Sequence, residues 1–346
     1  YLHQEVVMNP VVSVIIPVYN VQDYIEQCLA SVLNQTYREL EVIMINDGST
    51  DNSGILAKKI ADSDVRCILI TQKNGGLSNA RNNGLARATG KYVYFLDSDD
   101  WIENNTFEIL VNSAEVSNCD LVVHNVNVVD ATTFDVEKKR MLQVDYGLLS
   151  GLDSLEKDLL ISPCWSWNKL YKRSFLVDNK LKFIDGLNYE DVPFTTTLSL
   201  TNPRIFYIPD YLLNYRKARA ESISNSISIK SLDLFRVGKI VSKIMSDHEI
   251  PNNHWLRANL RNWEKWNYAW SYTHLPNHLR AITLLNIYYS HRSVFSEVLS
   301  VLGMRMNVIK VLGVPLIFVK FHNEKTTYLL FGLIPFWLSR RVINFV

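Results

Sequence analysis

Cysteine is sparse, and no two cysteines form a CxxC pair. Cys28, Cys67, Cys119 and Cys164 stand far apart, which excludes a zinc module or a disulfide framework and makes a reducing compartment the default. No stretch reaches 18 uninterrupted apolar residues, so the sequence offers no membrane-spanning helix. Net charge is also missing: 36 Lys and Arg face 35 Asp and Glu, and without a basic field nucleic acid is not an expected partner. The opening YLHQEVVMNP lacks the charged-then-apolar order of a secretory leader, so Met8 reads as a candidate start and the expected location is cytoplasmic. What is present is ordinary for a folded protein, 47% hydrophobic and 21% charged over 346 residues. That is enough chain for a catalytic domain with a smaller appendage.

The first hundred residues alternate. Val11–Tyr19 is a nearly continuous Val/Ile run, the pattern of a strand buried on both faces of a parallel sheet. It ends at Pro17-Val18-Tyr19-Asn20, with Asn20 placed to cap a helix over Val21–Leu33. Leu40–Asn46 is a second strand and Asp51–Asp62 a second helix, separated by the acidic turn Asp47-Gly48-Ser49-Thr50-Asp51. Val65–Thr71 is a third strand. The glycines of the loop after it, including Gly76, let backbone approach a ligand closely, and Ser78 is placed to cap a helix running to Ala88. Strands alternating with helices across short joints predict a doubly wound sheet whose strand tips share one edge.

The next strand carries the chemistry. In YVYFLDSDDW (Tyr92–Trp101) an apolar run delivers carboxylates to its own C-terminal end, where open α/β sheets place ligands. Asp97 and Asp99 flank the small Ser98, a spacing that lets both turn toward one hard divalent cation carrying phosphate oxygens. Asp100 suits a cap or turn better than a third ligand. The plainer alternative is loop chemistry at a strand end, and an isolated DxD would not decide between them.

Four motifs in order decide more than one. VSVIIPVYN, VIMINDGSTDNS, NGGLSNARNNGL and YVYFLDSDD together resemble the N-terminal half of family 2 glycosyltransferases, strongly over Val11–Trp101 and more loosely to about Ser224. The resemblance implies the GT-A fold, a Rossmann-like, mostly parallel sheet flanked by helices. It also implies inverting transfer from a nucleotide sugar, usually UDP-linked, with Mn²⁺ or Mg²⁺ as cofactor. Pro17, Val18, Tyr19, Asn20 and Asp47 would hold the base, and the Asn74–Arg81 segment, with Gly76, Ser78 and Arg81, would lie beside ribose and phosphates. Asp97 would approach the ribose with Ser98 next to it, and Asp99 would hold the metal bridging the diphosphate. For Arg81 a structural ion pair with neighbouring Asp residues is the rival reading, and for Tyr19-Asn20 it is a plain strand-to-helix turn.

Downstream, Glu103–Ser117 reads as a helix, Asp120–Val129 as an alternating strand, and 130–149 as a hairpin or loop. Trp165 and Trp167, beside Asn168 and Lys169, suit either sugar stacking or core packing. Glu190 and Asp191 precede a helix over Val192–Leu200, and two readings stand. Carboxylates at a helix start are favoured by its dipole, and transfer to a hydroxyl needs a general base. The resemblance favours Asp191 over Glu190. Ile205–Tyr215 reads as two short strands around Pro209-Asp210. It leads to Arg216, Arg219 and Ser222, in a YR…SIS segment that in similar enzymes closes over the diphosphate; solvated basic surface is the alternative.

From Ser228 the pattern turns helical: Ile229–Met245, Trp255–Tyr272, His278–Tyr289 and Ser293–Leu302. Met304–Val346 mixes apolar runs with Lys and Arg, which permits docking on the inner face of a membrane or a buried terminal hairpin or helix pair. The expected organisation is a catalytic domain at 10–225, with a nucleotide-sugar half 10–101 and an acceptor half 102–225. A helical region at 226–320 and an amphipathic tail at 321–346 follow. The partners implied are a UDP-sugar and a glycan, glycoprotein or lipid-linked acceptor. A sugar nucleotidyltransferase is the enzymatic rival, but PVYN lacks its Gly-rich basic loop. A binding module without chemistry is the other, and intact DSDD and Glu-Asp motifs count against it.

Overall fold

The VSVIIPV run forms β1 (Val12–Val18), buried at every position, as is β2 (Leu40–Asn46). The two pair in parallel from Val12 opposite Leu40 to Val18 opposite Asn46. β3 (Cys67–Thr71) extends the sheet beyond β2, and β4 (Tyr92–Phe95) lies on the other side of β1, both in parallel. The four tips therefore share one edge. The computed structural model describes residues 11–139, 147–149, 165–217, 233–252, 254–274, 297–298, 300–301, 304–311, 314–321 and 329–331. The chain divides into two compact units, Tyr1–Ser222 and Ile223–Val346.

Helices α1 (Ile25–Leu33), α2 (Ser53–Ala61) and α3 (Leu77–Arg87) connect the four strands. α1 buries Ile25, Cys28, Leu29 and Val32 at helical spacing, and each fully buried aliphatic side chain of this kind contributes about 1.5–3 kcal/mol. α3 has little apolar surface and docks through small residues, Ala80 and Gly84 being buried. A Cβ on Gly84 would sit 2.3 Å from Cγ2 of Ile15, far inside the ~3.5–4 Å of normal carbon contact. Gly84→Ala is therefore expected to lower stability by about 1–3 kcal/mol despite its better helix propensity. A fall in the denaturation midpoint checks this, and an unchanged midpoint contradicts the close packing of α3 on β1.

The second half of this unit adds β5 (Trp101–Ile102), α4 (Thr106–Ser117), β6 (Leu121–Asp130), β7 (Val136–Lys139) and β8 (Gly147–Leu149). β9 (Lys169–Lys172), α5 (Arg173–Asp178), α6 (Asp191–Leu200) and β10 (Ile205–Lys217) complete it. The strand order is β3-β2-β1-β4-β9-β6-β10-β5. β9 runs antiparallel between β4 and β6, and β10 runs parallel to β6, so this half of the sheet is mixed. β6 is buried along most of its length rather than alternating, so both of its faces are covered. The two strands expected around Pro209-Asp210 are one strand, β10, whose register with β6 shifts between Ile208 and Leu213. The hairpin option for 130–149 holds in part, since β7 pairs antiparallel with β6.

In the other unit, α7 (Asp233–Asp247) and α8 (Trp255–His274) lie near the first two expected helices. Tyr268 is buried against Phe235, ring centres 4.6 Å apart, whereas Trp266 is exposed. His278–Tyr289 and most of Ser293–Leu302 lie outside the described residues. β11 (Met304–Val311), β12 (Val314–Phe321) and β13 (Leu329–Phe331) form an antiparallel sheet, the hairpin alternative rather than a helix pair. Among the described residues no helix is long and apolar enough to cross a membrane.

Candidate active site

The tips after β1 and β2 are laced together. Asn20 adopts a positive φ of 51° and accepts from the Thr50 backbone N–H at 2.9 Å through Oδ1. Val21 N–H donates to Ser53 Oγ at 2.7 Å and Gln22 N–H to Asp51 Oδ2 at 3.1 Å. The cap expected of Asn20 is not made: α1 starts only at Ile25, after Tyr24, and the Asn20 side chain joins two loops instead. Tyr19 is exposed at the mouth of this tip, and Pro17 and Val18 close β1 beneath it.

Asp47 is buried and faces its own chain. Its Oδ1 accepts from Gln72 Nε2 at 2.7 Å and Gly75 N–H at 2.8 Å, and its Oδ2 from Gly76 N–H at 2.8 Å. Gly76 needs its glycine, with φ at 86°. Ser78 does not cap α3, which begins at Leu77; its hydroxyl is buried without a hydrogen-bond partner.

Arg81, 1% exposed, is the hub. Its Nη2 donates to Asp97 Oδ1 at 2.7 Å, while Nη1 donates to Glu190 Oε1 at 2.8 Å and to Asp191 Oδ1 at 3.1 Å. Its guanidinium lies over the Phe183 ring, 5.1 Å from the centroid. Burial alone would favour the neutral guanidine, but Asp97, Asp191 and Glu190 outweigh it and hold the charge. The ion-pair reading of Arg81 is thus realised in the folded chain, and it joins the β4 tip to the start of α6. Tyr189 reaches that start through a positive φ of 61°.

Two of the carboxylates around this cation, Glu190 and Asp191, are raised above the ordinary range. Burial raises Glu190, the Asp191 charge raises it further, and against Arg81 it settles at about 7. Burial raises Asp191 too, but Arg81, the Ser166 hydroxyl and the Lys169 ammonium all pull it back. Asp191 also has more open surface, 16% against 10% for Glu190. Both carboxyls of the pair are held above the ordinary carboxylate range by burial, Glu190 at about 7.

At the β4 tip Ser98 is buried, and the Asp100 backbone N–H donates to the Asp97 carbonyl at 3.1 Å, closing a turn. Asp100 points inward, with Oδ1 accepting from the Arg216 N–H at 2.7 Å and Oδ2 buried without a partner. Burial, then Asp99 and Asp97, push its carboxyl well above the ordinary range. Among the described residues no three His, Cys, Asp or Glu converge into a metal cage. Mg²⁺ and similar cations need only one or two carboxylates when phosphate oxygens complete the shell; at this tip Asp99 and Asp97, whose Oδ1 is held by Arg81, are the carboxylates that would supply them.

Arg216 is buried, not solvated surface. Arg219 and Ser222 lie outside the described residues. Trp165 stacks on Trp167 at 4.6 Å, and Trp167 on Tyr215 at 5.3 Å; Trp167 is buried in the core cluster, so packing accounts for it. Sequence reasoning missed Phe183 under Arg81, which carries no local signal. It also gave no site role to Lys169, fully buried in β9 with Nζ donating to the Trp165 carbonyl and, at 2.8 Å, to Asn168 Oδ1.

The family model described as glycosyl transferase family 2 matches residues 13–178. Glycosyltransferase GlyG of Streptococcus pneumoniae is 30% identical over 260 residues, covering 69% of this chain and 81% of that protein. The chain belongs to glycosyltransferase family 2. This family 2 chain is also 35% identical to glycosyltransferase GlyA of the same organism over 215 residues, 59% of this chain, but spans only 30% of GlyA's length. Its fold is GT-A-like. It matches the crystal structure of S. aureus TarS 1-349 in complex with UDP-GlcNAc at a TM-score of 0.58 and 20% identity, over 92% of this chain and 98% of that one. It also matches mannosyltransferase PcManGT from Pyrobaculum calidifontis, in complex with GDP-Man and Mn²⁺, at 0.53 and 19% identity over 84% of each chain.

Proposed function

We propose that the chain transfers a hexose or N-acetylhexosamine from a UDP-sugar to a hydroxyl of a glycan, glycoprotein or lipid-linked acceptor, with inversion at the anomeric carbon. The observation that carries this reading is the Arg81 bridge: one buried guanidinium joins Asp97 at the strand tip to Asp191 and Glu190. Donor-side and acceptor-side carboxylates thus lie around one point. Support for the donor class comes from the TarS structure with UDP-GlcNAc, and for a divalent cation from the PcManGT structure with Mn²⁺.

The roles divide as follows. Pro17, Val18, Tyr19, Asn20 and Asp47 surround the base. Gly76 and Ser78 at the start of α3, with Ser98, lie along ribose and phosphate, and Asp97 reaches the ribose. Asp99, with Asp97, would hold Mn²⁺ or Mg²⁺, which when bound neutralises charge on the leaving diphosphate. Asp191 takes the acceptor proton as the new C–O bond forms and the C–O bond to the diphosphate breaks. Glu190 shares the turn with Asp191, and Arg81 orients both. Arg219 and Ser222 extend the diphosphate side. The nucleotide-sugar half is 10–101 and the acceptor half 102–225; the expected helical region at 226–320 is helical only in its first part, because 304–311 and 314–321 are strands of an antiparallel sheet. The basic and apolar tail at 321–346 suits a peripheral place on the inner membrane face, the site of lipid-linked acceptors.

Screening a panel of UDP-sugars with Mn²⁺ or Mg²⁺ for UDP release tests the reading. At least one donor is expected to turn over, and excess chelator is expected to stop it. Turnover undiminished in chelator, or release of pyrophosphate instead of UDP, contradicts it.

A further inference from the structure

Arg216 lies near the end of β10, among residues from which basic groups toward a diphosphate were expected, yet it is only 8% exposed. Among the described residues its contacts all hold the chain itself. Its backbone N–H donates to Asp100 Oδ1 at 2.7 Å, and its Nε donates to the Asp99 carbonyl at 3.0 Å. Its Nη2 donates to Gln27 Oε1 on α1 at 2.6 Å. The guanidinium is also held against two rings, 4.9 Å from the Tyr24 centroid and 4.7 Å from that of Trp101.

These contacts grip one peptide unit from both sides, because the carbonyl belongs to Asp99 and the carboxylate to the next residue. The same turn is closed by the Asp100 N–H on the Asp97 carbonyl and leads into β5, where Trp101 pairs with Asn214, two residues before Arg216. Without the clamp, Asp97, Asp99 and Asp100 would repel one another across a short turn, and the peptide that sets the Asp99 side-chain direction would be free to rotate. A lysine would not replace it, since only the planar fork stacks on rings and donates in fixed directions at once.

Resting on the nucleotide-sugar reading above, we infer that Arg216 is a positioning residue for Asp99. It shapes the acidic turn so that the Asp99 carboxylate meets a divalent cation, and does not itself contact the diphosphate. This assigns a different job to Arg216 from the diphosphate contact expected of its segment.

The test reads binding rather than turnover. Mn²⁺ uptake is followed by loss of the free-ion electron paramagnetic resonance signal in the presence of UDP, and UDP and uridine affinities are measured calorimetrically without metal. Arg216→Met and Arg216→Lys are each expected to weaken Mn²⁺ binding by about 10–100-fold, as loss of a ligand-orienting partner does. Metal-free UDP affinity should stay close to wild type. Gln27→Leu, an exposed substitution outside β10, should weaken Mn²⁺ binding more mildly in the same direction, and it carries the test if neither Arg216 variant folds. If Arg216→Met loses metal-free UDP affinity but not uridine affinity, and Arg216→Lys restores it, Arg216 touches the diphosphate and the inference is wrong. Unchanged Mn²⁺ uptake in the folded variants overturns it as well. Wild-type protein that takes up no Mn²⁺ with UDP instead removes the nucleotide-sugar reading, and the inference falls with it.

Discussion

Asp191→Asn is expected to leave the chain folded and able to bind donor but to slow transfer by roughly 10²–10⁴-fold, the usual worth of a general base. Asparagine keeps the size of aspartate and an oxygen for the Arg81 Nη1 donor now 3.1 Å away, so the loss isolates proton acceptance. Glu190→Gln is milder, because the glutamine amide replaces a carboxyl already protonated half the time near its value of about 7. The pH dependence follows in sign. A base works deprotonated, and burial raises Asp191 against the pull of Arg81, Ser166 and Lys169. The acid limb of kcat in the wild type should therefore lie above the ordinary carboxylate range, with activity rising as pH rises through it. Near-normal kcat for Asp191→Asn with an inactive Glu190→Gln would move the base to Glu190. If neither variant slows transfer, the base lies elsewhere.

Asp99→Ala has the second large effect, a loss of metal-dependent turnover of roughly 10²–10³-fold, within the several kcal/mol that charge neutralisation at a leaving group supplies. The fold should survive, because the turn is fastened to Arg216 by the Asp99 carbonyl and the Asp100 carboxylate, and Asp99→Ala leaves both in place. Asp100→Ala should behave differently. It removes the buried acceptor of the Arg216 N–H and ought to lower thermal stability, which Asp99→Ala should not. An Asp99→Ala enzyme as active as wild type would take the cation away from this turn.

Local pattern made half of this structure legible. Val11–Tyr19, Leu40–Asn46 and Tyr92–Phe95 are apolar runs bounded by polar turns, and each became a buried strand. Parallel order followed from alternation with helices, so the meeting of the four tips could be read before any coordinates. The partners across the chain could not. Arg81 meets Glu190 109 residues away, and Arg216 meets Asp100 across 116, distances at which side-chain chemistry leaves no periodic trace. β9 was missed because four residues are too short to show a period, and its antiparallel place between β4 and β6 is a topological choice. Asn20 shows the converse: a good capping residue at the right spacing was claimed by a neighbouring loop with a competing N–H donor.

The central claim is a division of labour between two acidic turns, the DSDD tip for the donor's metal and the Glu190-Asp191 turn for the acceptor's proton. Calorimetric titration of UDP into wild type, Asp99→Ala and Asp191→Asn, each with and without Mn²⁺, tests it most directly. The prediction is that Mn²⁺ strengthens UDP binding in wild type and in Asp191→Asn but not in Asp99→Ala. Metal enhancement that persists in Asp99→Ala, or that disappears in Asp191→Asn, would contradict it.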